Sequence, residues 1–411
     1  MSLSPARGVG IALGTLAILA VGVYAPAMLL GPLPDVEIRT APSQPALPET
    51  TPVALLDAGA SAVALVADDG QAELVATSGD EGAAPIGGAA KLVTVLATLD
   101  ALPIEEGERG PAIRIGPEDY TDYLRYSAEG SRALAVSPGE TWSQRDVVRA
   151  VLLASSNNHA DTLARWAFGN LDNYVTEANG WLEEQGFETL RVADATGLSG
   201  DNVGSAAELT RLAALTLAQP TLGPLLSGDG ASTTTDRRVP DVVAHLGGEG
   251  IRSISRSYTD QALLSFVFTS ELDGETSRRM VGAMTGVDSY ETLDPAVLAA
   301  VGGMRAASTP IEVIAQGASY GEAVAAWGDR ADLVAVAGRT DAAWGAVPES
   351  ASVEVTPFAT APAGREVGSV TVRIGDRDLS SVLELDEPIS DPGPLWRLLN
   401  PGVIVGAFLA D

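Results

Sequence analysis

The sequence predicts an α+β chain: an apolar N-terminal helix, a central domain mixing helices with antiparallel strands, and a smaller β-rich domain. Three observations carry this. Residues 8–34 hold no charge, helix and strand patterns alternate between about 54 and 300, and strand patterns dominate after 305.

The elements follow in order. "GVGIALGTLAILAVGVYAPAMLLGPLP" (8–34) exceeds the roughly 20 apolar residues that cross a bilayer. Arg7 precedes it and Asp35 and Glu37 follow, which puts residues 1–7 inside, a transmembrane anchor at 8–30 and the bulk of the chain outside. A cleaved signal peptide, with "APA" (25–27) as its small-residue site, is the rival reading. Residues 31–53 carry six prolines and read as a semi-rigid extended linker. "SAVALVADDGQAELVATSGD" reads as two strands about an Asp-Gly turn. "GGAAKLVTVLATLDALP" reads as a helix opened by glycines and closed by Pro103. "TWSQRDVVRAVLLASSNNHADTLARWAFG" gives a helix to Ala154, a polar bend and a second helix, and "DNYVTEANGWLEEQGF" a third. "SAAELTRLAALTLAQP" is a fourth, with Ser205 and Glu208 set as a capping box. "GIRSISRSYTD" and "ALLSFVFTSEL" are adjacent antiparallel strands. The strand-rich region 305–391 forms the β domain, and 392–411 is a tail whose apolar run is too short to span a bilayer.

Composition removes several functions. A formal net charge of −29 disfavours nucleic acid and anionic lipid as partners by charge alone. No cysteine exists, so disulfides, thiol catalysis and cysteine-based zinc sites are excluded. Two histidines, His159 and His245, exclude a multi-histidine metal site. No cofactor or metal is implied. Arginine in place of lysine, with high Ala, Gly and Val, points to a GC-rich bacterial genome.

Lys91 is the only lysine of the 411 residues. It lies in the first turn of a helix that is apolar on nearly every face, and such a helix is buried. Burial and the positive end of the helix dipole both lower an ammonium's pKa, which is how a lysine becomes a general base. A snorkelling lysine at a helix edge is the structural alternative.

"PIGGAAKLVTVLATLDALP" resembles the active-site helix of the serine D-alanyl-D-alanine carboxypeptidases, the low-molecular-mass penicillin-binding proteins. "LLASSNNHADTLA" resembles the family's S-x-N element through Ser155, Ser156 and Asn157, and "VADATGLSGDNVGSAAELTRLA" its following segment. The motifs run in order from about Val53 to Leu298. The resemblance implies a β-lactamase/transpeptidase-like domain at 54–300, a helical cluster packed on an antiparallel sheet, followed by an accessory β domain. It also implies that a serine three residues before Lys91 attacks a D-Ala-D-Ala peptide bond while the lysine takes its proton.

The sequence departs from the family at two places. Gly88 occupies the nucleophile position, and no frame shift supplies a hydroxyl. The K-T-G strand motif is replaced either by Arg252-Ser253-Ile254 or, in the register anchored on "YTD", by Ser255-Arg256-Ser257. Both registers offer an arginine and a hydroxyl for a substrate carboxylate. The Gly88 N–H remains, and with it half of an oxyanion hole. Ser155 is expected beside Lys91 in a relay role, His159 as a partly buried structural histidine, and Asp122, Glu129, Glu183 and Glu184 as solvated surface.

The reading favoured is a membrane-anchored, extracytoplasmic pseudoenzyme of peptidoglycan metabolism, bound to stem peptide, to a β-lactam without covalent attachment, or to a cell-wall protein. An active carboxypeptidase with another nucleophile and an acidic structural ectodomain are the alternatives. Retention of Lys91, Ser155 and Asn157 argues against pure scaffolding.

Overall fold

The computed structural model of the chain describes residues 14–15, 18–40, 52–67, 70–105, 107–227, 237–272, 278–342, 344 and 346–410. The chain divides into two units, Thr51–Thr309 and Met1–Thr50 with Pro310–Asp411.

In the first unit everything is arranged around the Ala90–Ala101 helix. Its residues from Ala90 to Leu99 are all buried. A helix with no polar face has nothing to show to water. It is accordingly enclosed by Gln144–Leu152, Asn157–Phe168, Leu171–Glu184 and Ala206–Ala218. It stops where the Leu102 N–H bonds back to Thr98 O, one residue before Pro103.

Beside this cluster stands an antiparallel sheet in the order Ala72–Gly79, Ala60–Val66, Arg278–Val287, Leu263–Leu272, Ile251–Thr259. The first two strands pair from Ala60↔Gly79 to Val66↔Ala72, as the sequence pattern predicts, and residues 68–69 of their turn lie outside the described residues. Strand alternation sends Val267, Val281 and Ala283 into the helical core. Phe266, Phe268, Met280 and Met284, also buried, point to the opposite face, where Phe266 meets His245 and His245 meets Tyr290 at the start of the Tyr290–Ala307 helix.

Two local expectations are corrected. Ser205 caps its helix, accepting from Glu208 N at 3.3 Å, yet the Glu208 carboxylate does not return to the cap. It instead takes the N–H groups of Glu188, Thr189 and Leu190 and the Thr189 hydroxyl, because four converging donors outweigh one. Asp122 is not solvated surface: it is buried and paired with Arg165 (2.6 Å) and Arg125 (2.9 Å). Glu129, Glu183 and Glu184 are exposed as expected.

The second unit holds a six-stranded antiparallel sheet, Glu37–Thr40, Ser319–Val324, Arg330–Ala335, Arg377–Leu385, Glu366–Ile374, Ser352–Val355. Part of the proline-rich linker is therefore not a spacer. Residues 37–40 contain no proline and add an edge strand, where only one side needs hydrogen-bond partners. Ile314, Leu333, Val370, Val372, Ile374 and Leu383 form this unit's core. The Ala25–Leu30 helix lies against Gly393–Leu399, with Tyr24 Oη donating to Leu398 O (2.6 Å) and Arg397 Nη1 to Gly31 O (2.7 Å). No helix among the described residues is long and apolar enough to cross a membrane. Residues 8–13, 16 and 17 of the expected anchor lie outside the described residues.

Candidate functional site

Lys91 is 5% exposed, and its ammonium donates to Thr196 O. That carbonyl is held by a carboxylate cradle. Asp194 accepts from the N–H groups of Thr196 (2.7 Å), Gly197 (2.6 Å) and Ser199 (2.7 Å) and from the Thr196 hydroxyl (2.9 Å). Burial alone would raise the Asp194 carboxyl, but these donors hold it below its ordinary value. Gly197 closes the turn at φ +80°, and a Cβ there would stand 2.0 Å from Gly87 O, so no other residue fits. Burial lowers the Lys91 pKa to about 8, partly offset by Asp194 and reinforced by Arg132. The direction is the one the sequence predicts, and desolvation is its first cause.

The polar bend sorts its side chains by alternation. Ser156, Asn158 and His159 turn inward as structure. Leu134 N donates to Ser156 Oγ and Asn158 Oδ1 (both 3.1 Å), and Ser156 Oγ meets His159 Nδ1 at 2.8 Å. His159 is fully buried against Trp142, and burial lowers its pKa to about 4, so it is a neutral structural ring at pH 7. Ser155 and Asn157 face the other way, into the Lys91 cleft, and neither side chain has a hydrogen-bond partner among the described residues. Ser155 adopts φ +47°, an uncommon left-handed conformation for a non-glycine residue, which the surrounding packing must impose.

Arg132 completes this wall and was not singled out by sequence. Its carbonyl accepts from Asn157 N (2.9 Å), and its guanidinium Nη1 donates to Arg256 O (2.7 Å). It thereby ties the bend to the Ile251–Thr259 strand. It has no carboxylate partner among the described residues, and burial and Arg256 lower its pKa. Nothing in the local pattern "GSRALAV" marks it, since its partners lie far away in the chain.

The strand register is decided by its edge pairing. A bulge between Ser253 and Ser255 shifts the ladder with Leu263–Leu272, and Ser257, Tyr258 and Thr259 then line the cleft. Arg252 and Ser253 line a separate cavity with Asp241, His245 and Arg305. Ser255 is buried, and the Arg256 guanidinium turns away to Val242 O (2.6 Å) and Tyr290 Oη (3.3 Å). The structure thus brings together Gly88, Lys91, Ser155 and Asn157, but not the side chains of Arg252, Ser253 or Arg256.

One expectation fails. The Gly88 N–H does not stand free as half of an oxyanion hole. It donates to Ser257 Oγ at 2.8 Å, because a serine, and not a glycine, faces it from the strand. The cleft that remains has a volume of about 260 Å³, with Lys91 and Arg132 as its cations and Ser131, Ser155, Asn157 and Thr259 as polar lining. No group of three or more ligand-type side chains suited to a metal occurs among the described residues. Chemically, the cleft offers positive charge and hydroxyls to an anionic group, without a side chain at position 88 to attack it.

Residues 50–227 match the family model described as D-alanyl-D-alanine carboxypeptidase, Peptidase S11. A D-alanyl-D-alanine endopeptidase of Pseudomonas aeruginosa is 30% identical over 154 residues, 37% of this chain and 46% of that protein. One from Escherichia coli is 28% identical over 167 residues, 40% and 50%. The chain spans about half the length of the curated relatives it matches. Among solved structures, penicillin binding protein 5 from Haemophilus influenzae aligns with TM-score 0.56 at 16% identity, over 84% of this chain and 100% of that one. Penicillin binding protein 6B from Escherichia coli gives 0.56 at 15%, over 84% and 98%. These likenesses show the fold. Residues 50–227 thus match the D-alanyl-D-alanine carboxypeptidase family model on a fold similar to that of penicillin binding protein 5, with Gly88 where the resemblance of the sequence implies a serine.

Proposed function

We propose that this is a membrane-anchored, extracytoplasmic member of the family that has lost acyl transfer and binds carboxylate-terminated cell-wall peptide without turning it over. The single observation that carries the reading is at position 88. There is no side-chain nucleophile, and the backbone N–H that would polarise a carbonyl is bonded to Ser257 Oγ. A covalent mechanism that loses its nucleophile keeps only residual catalysis, while the cations and hydroxyls of the cleft still favour an anion. The anchoring rests on the charge-free run at 8–34 and on the exposed apolar side chains Ile18, Val21 and Leu30.

Calorimetric titration tests it. A peptide ending in D-Ala-D-Ala carboxylate binds, and its C-terminal amide binds more weakly by about tenfold or more, the worth of one charge-assisted hydrogen bond. Arg132→Ala removes most of that preference. Equal binding of acid and amide, or release of D-alanine during the titration, would sink the proposal.

A further inference from the structure

Position 88 and position 257 are in contact across the cleft. A Cβ added to Gly88 would lie 2.9 Å from Ser257 Cβ and 3.1 Å from Ser257 Oγ. The first distance is the decisive one. A hydroxyl can rotate away, but Ser257 Cβ is fixed by its strand, whose ladder pairs Ser257 with Ser265. On the other side the Gly87–Gly88 backbone is pressed by Gly197, which would meet Gly87 O at 2.0 Å with any Cβ. The segment therefore has no room to back away. Gly87, at φ +55°, is equally close: its Cβ would stand 2.9 Å from Ser257 Oγ.

The two departures of the sequence from its family motifs are thus one departure. The helix has glycine where the motif has serine, and the strand, in the register seen here, has serine where the motif K-T-G has glycine. We propose that Gly88 and Ser257 are a reciprocal exchange. The hydroxymethyl group missing from the helix is supplied from the strand, it occupies the space a side chain at 88 would fill and accepts the N–H that would polarise a carbonyl, and the two positions cannot both carry a side chain. The proposal rests on the reading of position 88 as the place of the lost nucleophile. It gives Ser257 a positioning role: it seals the Gly88 N–H and fixes the floor of the binding cleft.

It follows that restoring serine at 88 alone does not rebuild an acylating site, whereas the double change Gly88→Ser with Ser257→Gly makes room for one. In the double variant the Ser oxygen adds to a β-lactam carbonyl, the ring C–N bond breaks, and the hydroxyl proton ends on the ring nitrogen. The whole β-lactam mass is then retained on the protein.

The test uses the full-length chain in four forms: native, Gly88→Ser, Ser257→Gly and the double variant. Thermal unfolding is the primary readout. Ser257→Gly lowers the native Tm by roughly 3 °C, through loss of strand rigidity and of its hydrogen bond. In the Gly88→Ser background the same change raises Tm instead, since it relieves the clash. Opposite signs establish the exchange, and equal signs overturn it. If Gly88→Ser does not fold, Gly88→Ala, which adds the clashing Cβ alone, takes its place in the same comparison. Intact mass after incubation with a penicillin gives the second readout. An adduct on the double variant but not on Gly88→Ser agrees with the exchange. An adduct on the single Gly88→Ser variant as complete as on the double variant overturns it. An adduct on the native chain instead overturns the non-covalent reading of the cleft, and the sign of the Tm change still decides the exchange.

Discussion

Asp194→Ala lowers stability by roughly 3–5 kcal/mol, the range seen when one side of a buried charged network is removed. The reason is the number of donors it serves. Three backbone N–H groups and one hydroxyl converge on this carboxylate, and alanine leaves all four without an acceptor in a partly buried turn. The effect does not stay local. The turn carries Thr196 O, the acceptor of the Lys91 ammonium, and Gly197, which packs on Gly87 and Gly88. Chemical denaturation of the variant reads the loss, and peptide titration reads the damaged cleft. Because the donors hold the folded-state carboxyl below its ordinary pKa, the stability Asp194 contributes is present above the ordinary carboxylate range. It is lost as pH falls below that range and through the lowered folded-state value. A variant within 1 kcal/mol of the native chain, on the order of an ordinary surface substitution, would contradict this account of the turn.

Lys91→Met gives the second large effect, and its signature is in pH. Burial lowers the folded-state pKa from 10.5 to about 8. The ammonium therefore opposes folding by about 3 kcal/mol below pH 8, at about 1.4 kcal/mol per pH unit of separation. As pH rises from about 8 to about 10.5, the folded state gives up its proton before the unfolded chain does, and the native protein gains stability. Lys91→Met shows no such gain, so the difference between the two proteins changes by about 3 kcal/mol across that window. Burial pushes Tyr126 and Tyr174 upward, and their contribution above pH 10 is common to both proteins and cancels. At pH 7 methionine removes the charge penalty but orphans Thr196 O, at a cost of about 1–3 kcal/mol, so net stability there changes little. A fold bearing an abandoned lysine would show the same pH gain. Loss of carboxylate-peptide binding in Lys91→Met is what marks the ammonium as functional. Parallel pH curves for the two proteins would contradict the burial argument.

What the sequence disclosed was mostly local. The largely apolar helix around Lys91, its end before Pro103, the strand pair beginning at Ala60 and the S-x-N bend are all encoded within one or two turns of chain, where periodicity and breakers act. The Gly88 departure was visible because a motif fixes its spacing to Lys91. The strand register was not, because "IRSISRSYTD" repeats arginine and serine at intervals that satisfy either alignment. Only the bulge after Ser253 selects Ser257 for the cleft. Arg132 was hidden for a related reason. Its partner Arg256 is 124 residues away, and no helical or strand pattern surrounds it. Glu208 and Asp122 were misjudged because a three-residue spacing reports what a carboxylate can reach locally, not which donors tertiary packing brings to it. The same blindness concealed the strand at 37–40 among prolines, since an edge strand is specified by the partner that receives it.

The most direct measurement of the central claim is the intact mass of the native full-length chain after prolonged incubation with a β-lactam in excess. An unchanged mass is expected, with any bound β-lactam lost on denaturation. A stable gain of one β-lactam, traced by peptide mapping to any hydroxyl of the cleft, would contradict it and name the nucleophile.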